Sequence, residues 1–94
     1  MTNPLFDLSG RTAIVTGAGR GIGEGIATVF AAEGAKVVCA SRTVDEGEAV
    51  AEAIHKAGGD AVYRQTDIRD EDDCNALVAF VTKTYGGLDV LCRG

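Results

Sequence analysis

Residues 12–23 constrain the fold more than any other stretch. The apolar run Thr12-Ala13-Ile14-Val15 leads directly into Thr16-Gly17-Ala18-Gly19-Arg20-Gly21-Ile22-Gly23. Thr12–Thr16 reads as a buried strand, the glycines as a sharp turn, and the residues after them as the opening of a helix. A helix that starts at the end of a strand aims its free N–H groups and the positive end of its dipole at one spot. That arrangement suits a phosphate and points to a nucleotide cofactor. The competing reading is a glycine-rich turn that holds no ligand.

The rest of the chain repeats the alternation. Ile22, Ile26, Val29 and Phe30 recur at helical spacing, and Gly34 stops the helix. Lys36-Val37-Val38-Cys39-Ala40 reads as a second buried strand. Thr43 and Glu46 form a capping box for a second helix, whose inward stripe is Val50, Ala53, Ile54 and Ala57. Ala61-Val62-Tyr63 suggests a third strand. Asp70 is the expected N-cap of a third helix with Glu71, Asp72 and Asp73 in its first turn, and Cys74, Leu77, Val78 and Val81 as its core stripe. Gly86-Gly87 ends it, and Leu88-Asp89-Val90-Leu91 begins a fourth strand. Continuous apolar strands separated by amphipathic helices imply an α/β fold, β-α-β-α-β-α-β, with a parallel sheet and right-handed crossovers.

Composition excludes several other classes. The 94 residues suffice for one small domain, with 46% apolar and 24% charged residues as in soluble globular domains. The net charge of −5 and the lack of a basic block argue against nucleic acid as a partner. No signal peptide or apolar run of membrane-spanning length is visible, so no membrane partner is expected and the cytoplasm is the expected location. Cys39, Cys74 and Cys92 are odd in number and form no C-x-x-C pair, which fits reduced thiols. His55, the single histidine, has no ligand-type neighbours at metal spacing and reads as a helix-surface residue; no metal is expected.

The glycines fit T-G-x-x-x-G-x-G, on Gly17, Gly21 and Gly23, and not a strict G-x-G-x-x-G. Ala40-Ser41-Arg42 follows the second strand, Asp67-Ile68 the third, and Gly86-Gly87-Leu88-Asp89-Val90-Leu91 covers the fourth. On these residues, in this order and spacing, the chain resembles the classical short-chain dehydrogenase/reductase family from about Leu8 to Leu91. The resemblance implies a Rossmann-like, doubly wound parallel sheet, with residues 1–94 as the N-terminal dinucleotide-binding part of a single domain. It implies that Gly17 turns the chain off the strand, that Gly21 leaves room for a pyrophosphate, and that Gly23 lets the helix approach the sheet. Arg20, Gly21 and Ile22 resemble the backbone cradle for the cofactor's phosphates. Asp67 resembles the aspartate that bonds the adenine amino group, its alternative being a carboxylate that caps a turn. Ile68 resembles the apolar residue packed on the adenine face, its alternative being a core residue.

Charge argues for the cofactor. An enzyme using NAD places an acidic residue at the end of the second strand, where this chain has Ser41 and then Arg42. Arginine can bind a 2′-phosphate with paired, charge-assisted bonds, and Arg20 could add a second positive charge, so NADP(H) is favoured with NAD(H) possible. The alternative is that Arg42 is a solvated loop cation.

The family's catalytic tyrosine and lysine lie at Y-x-x-x-K. Here Tyr63 is followed by Asp67 and Tyr85 by Asp89, four positions on, so no catalytic residue is assigned. Where the family reads Asn-Asn-Ala-Gly after the fourth strand, this chain reads Cys92-Arg93-Gly94, which we read as truncation. The complete enzyme implied by the resemblance is a homo-oligomer that moves a hydride between a nicotinamide and a small-molecule carbonyl or alcohol. The alternatives are a non-catalytic dinucleotide-binding fragment and a truncated product without activity. Truncation also leads us to expect apolar surface of the first and fourth strands facing water, with the fourth as an unpaired edge.

Overall fold

The computed structural model describes residues 9–17 and 21–93, with the backbone alone for Ile22 and residues 90–93. Four strands and three helices alternate: β1 (Thr12–Thr16), α1 (Gly21–Ala32), β2 (Lys36–Ser41), α2 (Val44–Lys56), β3 (Asp60–Gln65), α3 (Glu71–Tyr85) and β4 (Val90–Arg93). The sheet is wholly parallel in the order β3-β2-β1-β4. The chain grows outward from β1 through β2 and β3, then crosses back to place β4 on the other side of β1. The expected α/β Rossmann-like topology is therefore the observed one.

Because strand side chains alternate between faces, each strand feeds two cores. Val15, Val37 and Cys39 face α1 and α2 and pack with Val50, Ile54 and a set of alanines. Ile14, Val38 and Ala40 face the other way and pack with Leu77 and Val81 of α3. On that second face Arg64 lies over the Phe80 ring at 4.8 Å and Lys36 over Tyr85 at 5.4 Å. All five residues of β1 are buried. This corrects the expectation that apolar surface of the first strand faces water: β2 and β4 flank it in the plane of the sheet and helices lie above and below. β4 is an edge among the described strands, as expected.

The helices turn different faces inward than their large apolar residues suggest. In α1 the buried positions are Gly23, Ala27 and Ala31, with Ile26 and Phe30 half-buried and Val29 58% exposed. Small residues at i, i+4 and i+8 let the helix lie close to the sheet, so the bulkier Val29 is turned out. In α2 the inward stripe is Gly47, Val50, Ala51 and Ile54, and Ala53 and Ala57 are exposed. A Cβ at Gly47 would overlap the Tyr63 ring, so this close contact sets the helix's rotation. In α3 Leu77 and Val81 are buried, Cys74 is half-buried and Val78 is exposed.

The caps divide similarly. Asp70 caps α3 as expected, its carboxylate accepting from the backbone N–H of Asp72 at 2.9 Å and of Asp73 at 3.4 Å, and Gly86 closes the helix with a left-handed backbone (φ +85°). Thr43 occupies the N-cap of α2 with the expected extended backbone, but its side chain makes no capping bond, so the predicted capping box is not formed from that side. Asp45 and Glu46 in the first turn complement the dipole there instead. His55 is exposed, as expected of a helix-surface residue. Its Nε2 also lies 2.6 Å from the Ala61 carbonyl, tying the end of α2 to β3.

Candidate functional site

The carboxyl ends of β1, β2 and β3 open into one cleft of about 320 Å³, lined by Gly17, Ser41, Arg42, Thr66, Asp67 and Ile68, with Thr43 and Glu46 on the α2 side and Arg69 at the rim. In a parallel sheet the turns that follow the strands all emerge at this end, so residues far apart in sequence converge there. Five of the residues singled out from the sequence meet in this cleft: Gly17, Ser41, Arg42, Asp67 and Ile68.

Each is placed by a local physical cause. Gly17 leaves β1 with φ +68°, a left-handed backbone that residues with a Cβ adopt reluctantly, and its N–H donates to the Ala40 carbonyl at 2.8 Å. Gly21 opens α1 at φ +64°, and a Cβ there would meet nothing within 4 Å. The sequence assigned Gly21 to close approach of a ligand; its left-handed backbone is a second, independent reason for glycine. Gly23 is buried. Arg20 lies outside the described residues, and so does the side chain of Ile22.

The turn after β2 is strapped to β3. The Ser41 carbonyl accepts from the Thr66 N–H at 2.9 Å and from the Tyr63 hydroxyl at 2.7 Å. Ser41 Oγ lies 3.3 Å from the Thr43 carbonyl and 3.4 Å from the Tyr63 hydroxyl, so this hydroxyl is used within the turn. Gln65 Nε2 donates to the Arg42 carbonyl at 3.2 Å. The Arg42 backbone is thus held on two sides while its side chain is exposed toward the cleft.

Asp67 is the electrostatic centre. Its Oδ1 accepts from the Arg69 N–H at 3.0 Å and from Arg69 Nε at 3.1 Å, and its Oδ2 from Arg69 Nη2 at 3.1 Å. These bonds, with a smaller contribution from Arg42, pull the carboxyl pKa down to about 2. Asp67 therefore caps its own turn, as one reading of the sequence held, and also presents a permanently charged acceptor to the cleft. Ile68 is 52% exposed and lines the cleft.

Sequence reasoning missed Tyr63 as a strap and Arg69 as a cleft residue. The signal for Arg69 was the Asp-x-Arg spacing at a strand end, where an Asx-type turn brings the two side chains together. Cys39 is buried and its thiol is pushed up to about 11 by desolvation, which makes it an inert core residue. Among the described residues no group of histidine, cysteine and acidic side chains could hold a metal ion, and no helix is long and apolar enough to cross a membrane.

The family model for short chain dehydrogenases matches residues 11–94. The chain belongs to the short-chain dehydrogenase family. Among curated members of this oxidoreductase family, 2,5-dichloro-2,5-cyclohexadiene-1,4-diol dehydrogenase of Sphingobium indicum is 47% identical over 90% of this chain and 33% of its own length. The 7alpha-hydroxysteroid dehydrogenase of Escherichia coli is 40% identical over 89% of the chain and 33% of its own length. Among solved structures, a hydroxysteroid dehydrogenase from Escherichia coli superposes with a TM-score of 0.91 at 39% identity, covering 94% of this chain and 37% of that one. A metagenomic short-chain oxidoreductase in complex with NADP gives 0.87 at 41% identity, covering 90% and 38%. The chain thus spans about a third of the length of these two curated relatives.

Proposed function

We propose that residues 1–94 form the N-terminal dinucleotide-binding part of an NADP(H)-preferring oxidoreductase of the short-chain dehydrogenase/reductase type. The observation that carries the proposal is the convergence of Gly17, Arg42, Asp67 and Ile68 on one cleft at the carboxyl end of a parallel sheet. In this reading Arg20, Gly21 and Ile22 cradle the pyrophosphate through their backbone, while Gly17 turns the chain off β1 and Gly23 lets α1 lie close to the sheet. Ser41 and Arg42 face the adenosine ribose, Asp67 accepts from the adenine amino group, and Ile68 lies against the adenine plane.

The preference for NADP(H) over NAD(H) rests on charge. Arg42 reaches the cleft from the turn where a ribose-binding carboxylate would otherwise stand, and the charge of Asp67 is already matched by Arg69. The family relative solved with NADP supports this reading. The cofactor supplies hydride chemistry; the complete enzyme would move a hydride between it and the carbonyl or alcohol carbon of a small molecule. The roles open to the described residues are binding and orientation. No Y-x-x-x-K occurs in these 94 residues, so the chain by itself is expected to bind cofactor and to turn over no substrate. A cytoplasmic location accords with this reading.

Titration of the protein with NADPH and NADH tests the proposal. A charge-assisted bond to a phosphate is worth ~1.5–3 kcal/mol. Arg42→Asp should therefore weaken NADPH binding by about 10- to 100-fold and NADH binding far less. Equal losses for both would remove Arg42 from the 2′-phosphate site.

A further inference from the structure

The contact between Arg69 and Asp67 is unusual for what it does not do. Its partners are two residues apart in a turn already closed by the Asp70 N–H on the Asp67 carbonyl at 3.0 Å. The Arg69 side chain is 71% exposed. A pair so local and so wet adds little to stability. Yet it has the two-pronged geometry of arginine–carboxylate recognition, with Nε on Oδ1 and Nη2 on Oδ2, both at 3.1 Å. Such a fork fixes the plane of the carboxylate.

The consequence lies in the acceptor positions left over. A carboxylate oxygen can accept about two hydrogen bonds. Among the described residues, Oδ1 takes the backbone N–H and Nε of Arg69, and Oδ2 takes Nη2 alone. One acceptor position on Oδ2 therefore remains, in a cleft whose next side chain, Ile68, offers an apolar surface. An acceptor beside an apolar surface fits a flat base that carries an exocyclic amino group.

We propose that Arg69 is a positioning residue for the purine base: its guanidinium locks the Asp67 carboxylate so that Oδ2 reads an amino group at the 6-position and rejects an oxo group there. The inference rests on the dinucleotide reading above. It adds a base specificity, for adenine over hypoxanthine, set by a residue that does not itself have to touch the base. An oxo group at that position is an acceptor, and meeting a fixed carboxylate it would leave two acceptors face to face. A carboxylate free to rotate could turn away.

The experiment compares binding of NADPH and of its hypoxanthine analogue to wild-type protein, Arg69→Ala and Arg69→Lys, by fluorescence titration or calorimetry. Wild type should bind NADPH at least about 10-fold more tightly than the analogue, a difference of ~1.4 kcal/mol. Arg69→Ala should reduce the ratio to about 3-fold or less. Arg69→Lys, which keeps the charge and loses the fork, should fall between them. In all three proteins the NADPH-to-NADH ratio set by Arg42 should hold, a readout that general damage to the fold would not leave intact. An Arg69→Ala protein that keeps the wild-type base discrimination overturns this inference and leaves the dinucleotide reading standing, as does one that binds NADPH more tightly than wild type. A wild-type protein that binds neither NADPH nor NADH overturns both.

Discussion

The two ends of the sheet each carry an arginine–aspartate pair, and the pairs do opposite things. At the amino end Arg11 lies 3.5 Å from Asp89, and Asp89 also accepts from the Thr12 N–H at 2.9 Å while its own N–H donates to the Thr12 carbonyl at 3.0 Å. That carboxylate joins residues 77 apart in sequence and sets the approach of β4 to β1. At the carboxyl end Arg69 and Asp67 join nothing that the turn has not already joined. The same two residue types form a structural clamp at one end and a charged fixture of an open cleft at the other. Sequence separation and backbone involvement, not the chemistry of the pair, decide which is which.

Removing the two carboxylates should separate these roles, and the largest effect on stability is expected at the amino end. Asp89→Ala leaves the Thr12 N–H without its side-chain acceptor in a half-buried position. The cost is ~1–3 kcal/mol, a fall in melting midpoint of roughly 5–20 °C for a chain of this size. Asp67→Ala should leave the melting curve nearly unchanged and weaken NADPH binding instead. Should Asp67→Ala prove the more destabilising of the two, the distinction between the ends would collapse.

A smaller effect is expected from the strap behind Arg42. Tyr63→Phe removes one donor from the Ser41 carbonyl, which keeps the Thr66 N–H. The loss of ~0.5–1.5 kcal/mol should appear partly as stability and partly as a drop of about 2- to 5-fold in the preference for NADPH over NADH. An unchanged preference would show that the turn after β2 holds its shape without the strap.

The smallest effect concerns acid. A carboxylate whose pKa is depressed on folding adds stability that is complete above the unfolded value, here 3.8, and is lost as the pH falls through about 2. The stability difference between wild type and Asp67→Asn should therefore be constant from neutral pH to about pH 5 and should change only below about pH 4. A change near neutrality in paired thermal melts would mean that another group carries the linkage.

How much of this was legible in the sequence depended on whether a feature speaks through residue type or through geometry. The strands announced themselves as apolar runs between glycines, and the topology followed because a parallel sheet leaves few ways to connect them. Asp70 was legible as a cap because an aspartate before an acidic first turn has few other uses. The inward face of α1 was not, because Ala27 and Ala31 carry little hydrophobic signal while Val29 carries much; closeness of helix and sheet, invisible in periodicity, decided the matter. The α2 stripe was offset for the same reason, with Gly47 and Ala51 turned in where Ala53 and Ala57 were expected. In the candidate site, Gly17, Arg42 and Asp67 could be named from their positions after the strands. Tyr63 and Arg69 could not, because their contacts exist only once a backbone turn and a strand register bring them into reach.

The order β3-β2-β1-β4 also has a consequence in time. Thr12 meets Lys36 in the first ladder, whereas Ala13 must wait for Val90 in the last. On a ribosome adding about 5–20 residues per second, roughly 50 residues separate the end of β2 from the arrival of β4, an interval of about 2–10 s. Throughout it β1 has one side zipped and the other bare. The strand that ends as the most sheltered in the sheet is, for those seconds, the nascent chain's most exposed template for a wrong partner.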